Sequence, residues 1–260
     1  MPFGLSDAPP FFQAFMNHVL FHKLFNGVLC YLDDAVIYGD SKEECYCNCR
    51  WVLNQFRKYK LFAKIEKCQF FPSKVEYLGF LIKDGAYVPL NKNKLDGLSC
   101  PHNIKELQKV LGLLNWFADF IPNFSTIIKP LSDNLSNYNQ EVISKIFFPT
   151  IKKIEIFPPD AFSFHEQFLL VSDSSEFAGS GVLYQIPEGE EDSIFSTLNN
   201  NVNNKNCTTT LHKNKNLKLI GFYSFKFDKN QLHYSMFDKE LLQIIRTLEH
   251  FAYFLSNNIE

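Results

Sequence analysis

The feature that most constrains this chain is a pair of adjacent carboxylates, Asp33-Asp34, set between two short apolar runs. The stretch GVLCYLDDAVIYGD reads as a hairpin, with strands Val28–Leu32 and Ala35–Tyr38 and the acidic pair at the turn. Such strands bury a face while the turn stays in water. Two neighbouring negative charges repel each other. Either the turn is simply solvated, as Asp-containing turns often are, or it holds a divalent cation. Mg2+ takes hard oxygen ligands, and paired ions clamp an in-line phosphoryl displacement. The dipeptide alone leaves both readings open.

The surrounding pattern is that of an α+β protein. Residues 7–25 read as a helix with Pro9 and Pro10 in its first turn and Phe12, Phe15, Met16, Val19 and Leu20 at helical spacing. Residues 42–59 read as an amphipathic helix, and 75–82 as a strand that turns at Lys83-Asp84-Gly85 into a short return at 86–90. Asn103 and Glu106 form a capping-box pattern opening a helix to about residue 117, and 124–135 reads as a further helix. Residues 136–165 are poorly patterned and read as a connection or linker.

A second domain is expected from about residue 166. FLLVSDSS and GSGVLYQI read as strands around a turn, and 218–227 as a third. Ser235 with Asp238 caps a long helix to about Leu255, with Leu241, Leu242, Ile244, Ile245, Leu248, Phe251 and Phe254 expected inward. The insert 187–216 is polar and Asn-rich and reads as disordered.

Composition sets the outer limits. The chain has 260 residues, of which 46% are hydrophobic and 21% charged, enough for two modest cores. With a net charge of -2, these values exclude global disorder. No apolar run is long enough for a membrane-spanning helix. The N-terminus lacks the basic region of a signal peptide, and an odd count of 7 cysteines argues against a disulfide framework. Both fit an intracellular chain, in cytoplasm or nucleus. Cys45, Cys47 and Cys49 fall in a helical stretch where alternate residues face different ways, so they read as thiols rather than a metal site. A near-neutral charge argues against strong DNA binding by the whole surface, though not against a local basic track.

Five motifs then occur in order, MPFGLSDAPPFFQ, YLDD, KCQFF, YLGFLI and LGLLNWFADFIPNFSTIIKPL, and FPPD, VSDSS and YSMFDKELLQIIRTLEHFAYFL follow them. Together they resemble the reverse transcriptase and attached RNase H domain of gypsy-type LTR retrotransposons. The resemblance implies a partial polymerase palm over 1–90, thumb-like helices over 91–135, a connection over 136–165, and a partial RNase H-like α/β domain over 166–260. It also implies Mg2+ or Mn2+ as cofactor, with RNA/DNA template-primer and deoxynucleotides as partners.

Site residues follow from the matched motifs. Asp33 and Asp34 would be catalytic metal ligands, and Tyr31 would touch the primer end. Phe3 and Gly4 resemble the loop beside the incoming nucleotide, with Gln13 on the helix behind it. Gly79, in Tyr77-Leu78-Gly79, resembles the primer grip. Lys67 would assist pyrophosphate departure, or is simply an exposed lysine. Asp173 and Glu240 match RNase H carboxylates and would ligate metal as a separate acidic pair. Without the resemblance they read as a strand-end Asp and an exposed helix Glu.

The resemblance also marks departures. The family supplies a further polymerase Asp upstream of MPFG and two more RNase H carboxylates downstream of the long helix, and neither stretch is present in this chain. Ala118-Asp119 stands where the family usually carries basic residues, which weakens phosphate contact. The expectation is a retrotransposon polymerase fragment that is inactive as this isolated chain, completed if at all by the missing parts of the polyprotein. The alternative is an inert remnant that at most binds nucleic acid or protein. Limited proteolysis is expected to cut first within 187–216, where apolar side chains are too few to offset chain entropy; protection there with cuts elsewhere contradicts the reading.

Overall fold

The computed structural model describes residues 8–90, 93–160, 166–190, 194 and 217–256. They fall into two compact units, Met1–Tyr77 and Leu78–Glu260. Most of the insert 187–216, with Phe3 and Gly4, lies outside the described residues.

The first unit wraps two helices around the acidic hairpin. Helix α1 (Ala8–Leu20) buries Met16, Val19 and Leu20 against Val28 of strand β1 (Val28–Tyr31) and Val52 of helix α2 (Lys42–Tyr59). Strand β2 (Asp34–Ile37) pairs antiparallel with β1. Helix α1 ends five residues before the expected point. The backbone N–H groups of Lys23 and Leu24 both donate to Leu20 O, and Phe25 and Gly27 take positive φ to reverse the chain. Only glycine fits at 27, where φ is 105° and a Cβ would stand 2.4 Å from Asn48 Nδ2. Asn48 is buried on α2 and donates to Tyr38 O at 2.8 Å, so α2 is tied to the end of the hairpin. Ser41 caps α2 by accepting from the Glu44 N–H, while Glu44 accepts from the Asp40 N–H.

The expected strand over 75–82 is two strands. Strand β3 (Val75–Tyr77) closes the first unit and β4 (Phe80–Lys83) opens the second, separated by Leu78 and Gly79 at φ 48° and 84°. An apolar run gives no warning of this break, because a leucine in the left-handed region is rare. Strand β4 returns through Asp84-Gly85, both at positive φ, into β5 (Ala86–Pro89). Asp-Gly is a favoured pair for such a two-residue turn.

Helices α3 (Asn93–Asp96), α4 (Ile104–Asn115), α5 (Phe124–Ser132) and α6 (Gln140–Ile151) follow. Leu107, Leu114, Phe117, Ile121, Leu131, Ile143 and Phe147 form their shared core. Helix α6 lies within the stretch 136–165 that reads as a connection or linker, where the sequence pattern announced no helix. Asn139 caps it by accepting from Glu141 N and Val142 N. Its sequence hides the period because Val142 and Phe148 are exposed and Pro149 interrupts the last turn.

The chain ends in an antiparallel meander, β6 (Gln167–Ser174), β7 (Ala178–Ile186) and β8 (Lys218–Lys226), followed by helices α7 (Met236–His250) and α8 (Ala252–Ser256). The outer side of β8 is covered. Asp160 N donates to Leu219 O at 2.7 Å, Leu219 N donates to the Asp160 carboxylate at 2.8 Å, and Ser125 N on α5 donates to Ser224 Oγ at 2.9 Å. Lys226 adds an ion pair to Asp133. Burial alone would raise the Asp133 carboxyl, but hydrogen bonds from Lys129 and Lys226 outweigh it and hold the group below the usual carboxylate range.

Helix α7 overturns the expected inward stripe. Leu241, Ile244, Ile245 and Leu248 are exposed, and Lys239, Gln243 and Thr247 are buried instead. Only Phe251, after the helix, is buried as expected; Leu242 and Phe254 are partly buried. The reason lies in β7. Added Cβ atoms on Gly179 and Gly181 would stand 2.6 Å from Gln243 Cγ and 2.3 Å from Thr247 Cγ2. The helix therefore rides too close to the sheet for leucine on that face. The buried polar groups are satisfied: Lys239 Nζ donates to Glu176 O at 2.9 Å, Gln243 donates to Ser180 O, and Thr247 donates to Gln243 O. Gly181→Ala should cost about 1–3 kcal/mol of stability in urea denaturation by overpacking this contact. The loss should be partly recovered in a Thr247→Ala background.

Candidate active site

The hairpin tip carries the first acidic site. Tyr31 pairs with Asp34 across β1 and β2, so the two-residue turn is Leu32-Asp33 and lies one residue earlier than expected. Asp33 stands at the tip and Asp34 opens β2, and both are exposed. Leu32 adopts φ 52°, in a left-handed region that costs a non-glycine residue roughly 1–2 kcal/mol. Gln13 on α1 holds it there. Its Oε1 accepts from Leu32 N at 2.6 Å, and its Nε2 donates to Cys30 O at 3.1 Å. The same Nε2 also reaches Asn17 Oδ1 at 2.8 Å.

The electrostatics agree with this geometry. Burial pushes up the Cys30 thiol, and Asp34 and Asp33 push it further. Burial likewise raises the Tyr77 phenol, with added contributions from Cys30 and Asp34. Neither residue was singled out from sequence as a neighbour of the carboxylates, although Tyr77 stands in a recognised motif. Tyr31 is 53% exposed at the end of β1. Lys67 is exposed on a short 3-10 turn, Ile65–Lys67. Gly79 belongs to the second unit, where Trp116 packs against it.

The donor chemistry at the tip suits a hard cation. Mg2+ is commonly held by one or two carboxylates and keeps several waters. Asp33 and Asp34 fit that set, although no group of three His, Cys, Asp or Glu side chains that could hold a metal occurs among the described residues.

The second acidic pair is arranged less directly. Phe168 and Leu170 of β6 pack with Leu183 and Phe251, on the face that α7 and α8 cover. Leu169 and Val171 pack on the other face with Val182, Tyr184 and Phe222. Alternation along the strand puts Asp173 on that second face, away from α7. Glu240 is exposed. Lys239 and Arg246 lie over Phe227 and Phe225, and His250 stacks on Tyr223, all near β8. At 100° per residue, Glu240 sits on the opposite flank, toward β6, where Ser174 Oγ contacts Met236 Sδ. The two carboxylates thus approach one edge of the sheet from different faces.

Comparison with known proteins is consistent with both halves. Residues 1–82 match the model of the reverse transcriptase (RNA-dependent DNA polymerase) family, and residues 206–259 match the RNase H-like domain found in reverse transcriptase. The Transposon Tf2-3 polyprotein of Schizosaccharomyces pombe is 31% identical over 267 residues, covering 100% of this chain and 18% of its own length. The Tf2-7 polyprotein of the same yeast is 30% identical over the same span. The chain therefore spans under a fifth of these relatives.

Among solved structures, a foamy viral protease-reverse transcriptase in complex with double-stranded DNA gives a TM-score of 0.68 at 20% identity, over 97% of this chain and 41% of that one. The same viral enzyme in complex with an RNA/DNA hybrid gives 0.65 at 19%, over 97% and 32%. At these identities the likeness speaks for the fold. The mixed helix and strand architecture resembles the reverse transcriptase fold, with an RNase H-like part after it. The chain is similar over its whole length to part of the Tf2 retrotransposon polyproteins, with a reverse transcriptase match over 1–82 and an RNase H-like match over 206–259, and its gypsy-type resemblance is consistent with the Tf2 relatives.

Gln13→Ala removes both bonds to the hairpin, a loss of about 1 kcal/mol each. Amide exchange at Leu32 should accelerate more than exchange in α2. Equal protection in the variant would show that the tip holds itself.

Proposed function

We propose that this chain supplies the Y-x-D-D part of a two-metal nucleotidyl-transfer site in a protein that copies RNA into DNA. The observation that carries this is the exposed Asp33-Asp34 pair on a hairpin whose strained tip is tied to α1 by Gln13. Asp33 and Asp34 would hold Mg2+ or Mn2+, which when bound supplies charge neutralisation at the transferring phosphate. Tyr31, exposed beside them, would contact the primer end. Gln13 fixes the hairpin, and Gly79 would carry the primer-strand contact. Lys67 would protonate departing pyrophosphate, and Phe3 with Gly4 would border the incoming deoxynucleotide. On the resemblance alone, Asp173 and Glu240 would be the RNase H-like ligands in this chain; alternation along β6 puts Asp173 on the face away from α7.

The division proposed is palm over 1–90, thumb over 91–135, connection over 136–165 and RNase H-like domain over 166–260. Template-primer and the remaining parts of the polyprotein would be its partners, in an intracellular setting. No helix among the described residues is long and apolar enough to cross a membrane.

A second reading, an inert remnant that at most binds nucleic acid or protein, is favoured by Asp119. That carboxylate sits where positive charge would meet phosphate, beside His250 at 3.9 Å. Burial raises its carboxyl above the usual range, while the His250 charge opposes the rise. Flanking coding DNA separates the readings: an in-frame upstream Asp-bearing strand favours the enzyme, and stop codons on both sides favour the remnant.

Primer extension on an RNA template by this 260-residue chain, with Mg2+ or Mn2+, should give no product. Two carboxylates leave each ion mostly hydrated and loosely placed. Template-dependent synthesis that disappears in Asp33→Asn would contradict the expected inactivity of the isolated chain and establish the site.

A further inference from the structure

We infer that Trp116 is a positioning residue for the Leu78-Gly79 turn, so that the end of helix α4 sets the shape of this loop. The turn needs holding. Leu78 and Gly79 take φ 48° and 84° in succession, and Leu78 is 39% exposed. A leucine in that region is disfavoured, so an unsupported chain would relax toward extended strand. One backbone bond pins it, Leu90 N donating to Gly79 O at 3.0 Å.

Trp116 supplies the second restraint. A Cβ on Gly79 would stand 3.1 Å from its Cζ2, so the rim of the indole lies hard against the glycine backbone. Its ring stacks on Phe80, the next residue, with centroids 5.1 Å apart and planes 18° from parallel. Phe80 meets Tyr87 edge-on at 5.7 Å, and Tyr87 meets Phe120 at 5.6 Å. Phe120 is buried, and its carbonyl accepts from Phe157 N at 2.9 Å. The turn is thereby joined through four rings to the core of the helical layer. Trp116 itself remains 47% exposed. Much of its surface faces water, so it is poorly explained as a core residue.

For polymerase function, the inference rests on the proposed role of Gly79 at the primer strand. Its structural content does not, and the experiment separates the two. In the full chain, Trp116→Ala should speed amide exchange at Leu90 at least tenfold, with exchange in β7 unchanged, and Trp116→Phe should restore protection. Gly79→Ala should lower the melting temperature less in the Trp116→Ala background than alone, because the steric part of its cost needs the indole. Leu90 exchange that is unchanged in Trp116→Ala, or strictly additive effects at 79 and 116, would overturn the tether.

Anisotropy with a fluorescent RNA/DNA hybrid reads the functional part. Binding by the native chain that weakens several-fold in Trp116→Ala and recovers in Trp116→Phe places the tether at the primer contact. Binding equal in all three excludes Trp116 from it. Absence of binding by the native chain rejects the primer reading, while the exchange result still decides the tether.

Discussion

A leucine held in the left-handed region at the tip of a two-residue turn is the constraint on which the acidic site depends. Leu32 pays for its conformation through Gln13, whose amide accepts from the Leu32 N–H and donates to the Cys30 carbonyl. The side-chain amide thus replaces the partner strand that a hairpin end lacks. It fixes where Asp33 leaves the backbone without contacting the carboxylate. The same problem recurs at Leu78-Gly79, where an indole ring and one backbone bond serve instead. Both motif loops are strained turns steadied by a side chain from a neighbouring helix, as functional loops often are.

Much of the fold was legible because local signals were strong. Asn103 with Glu106 and Ser235 with Asp238 are expected caps that the structure shows at the start of their helices. Asp84-Gly85 marked its turn by chemistry that few other pairs share. The acidic hairpin was legible too, one residue out of register, because sequence cannot tell which of two aspartates closes the strand pair. Helix α6 was missed because Ile143 and Phe147 are its main buried line while Val142 and Phe148 point outward, which blurs the period.

The site was legible in its residues more than in its geometry. Motif order singled out Asp33, Asp34 and Gly79, but the links to Cys30, Tyr77 and Trp116 span turns that no pattern encodes. The largest misreading, at α7, has a physical lesson. Periodicity identifies an apolar stripe but not what it packs against. Two glycines in β7 brought the helix so near the sheet that shape outweighed hydropathy, and glutamine and threonine took the inner positions.

The outward stripe on α7 governs the colloidal behaviour of the chain in isolation. Phe237, Leu241, Ile244, Ile245 and Leu248 present a contiguous greasy ridge to solvent, at 74%, 48%, 39%, 45% and 42% exposure. Water ordered along such a ridge is released whenever two ridges meet, and the association gains strength on warming toward ambient temperature. Salt that screens charge would not oppose it, because it weakens the mutual repulsion of the exposed Glu240, Asp238 and Glu249 that flank the ridge. Handling this polypeptide alone is therefore a problem of stickiness before it is one of catalysis.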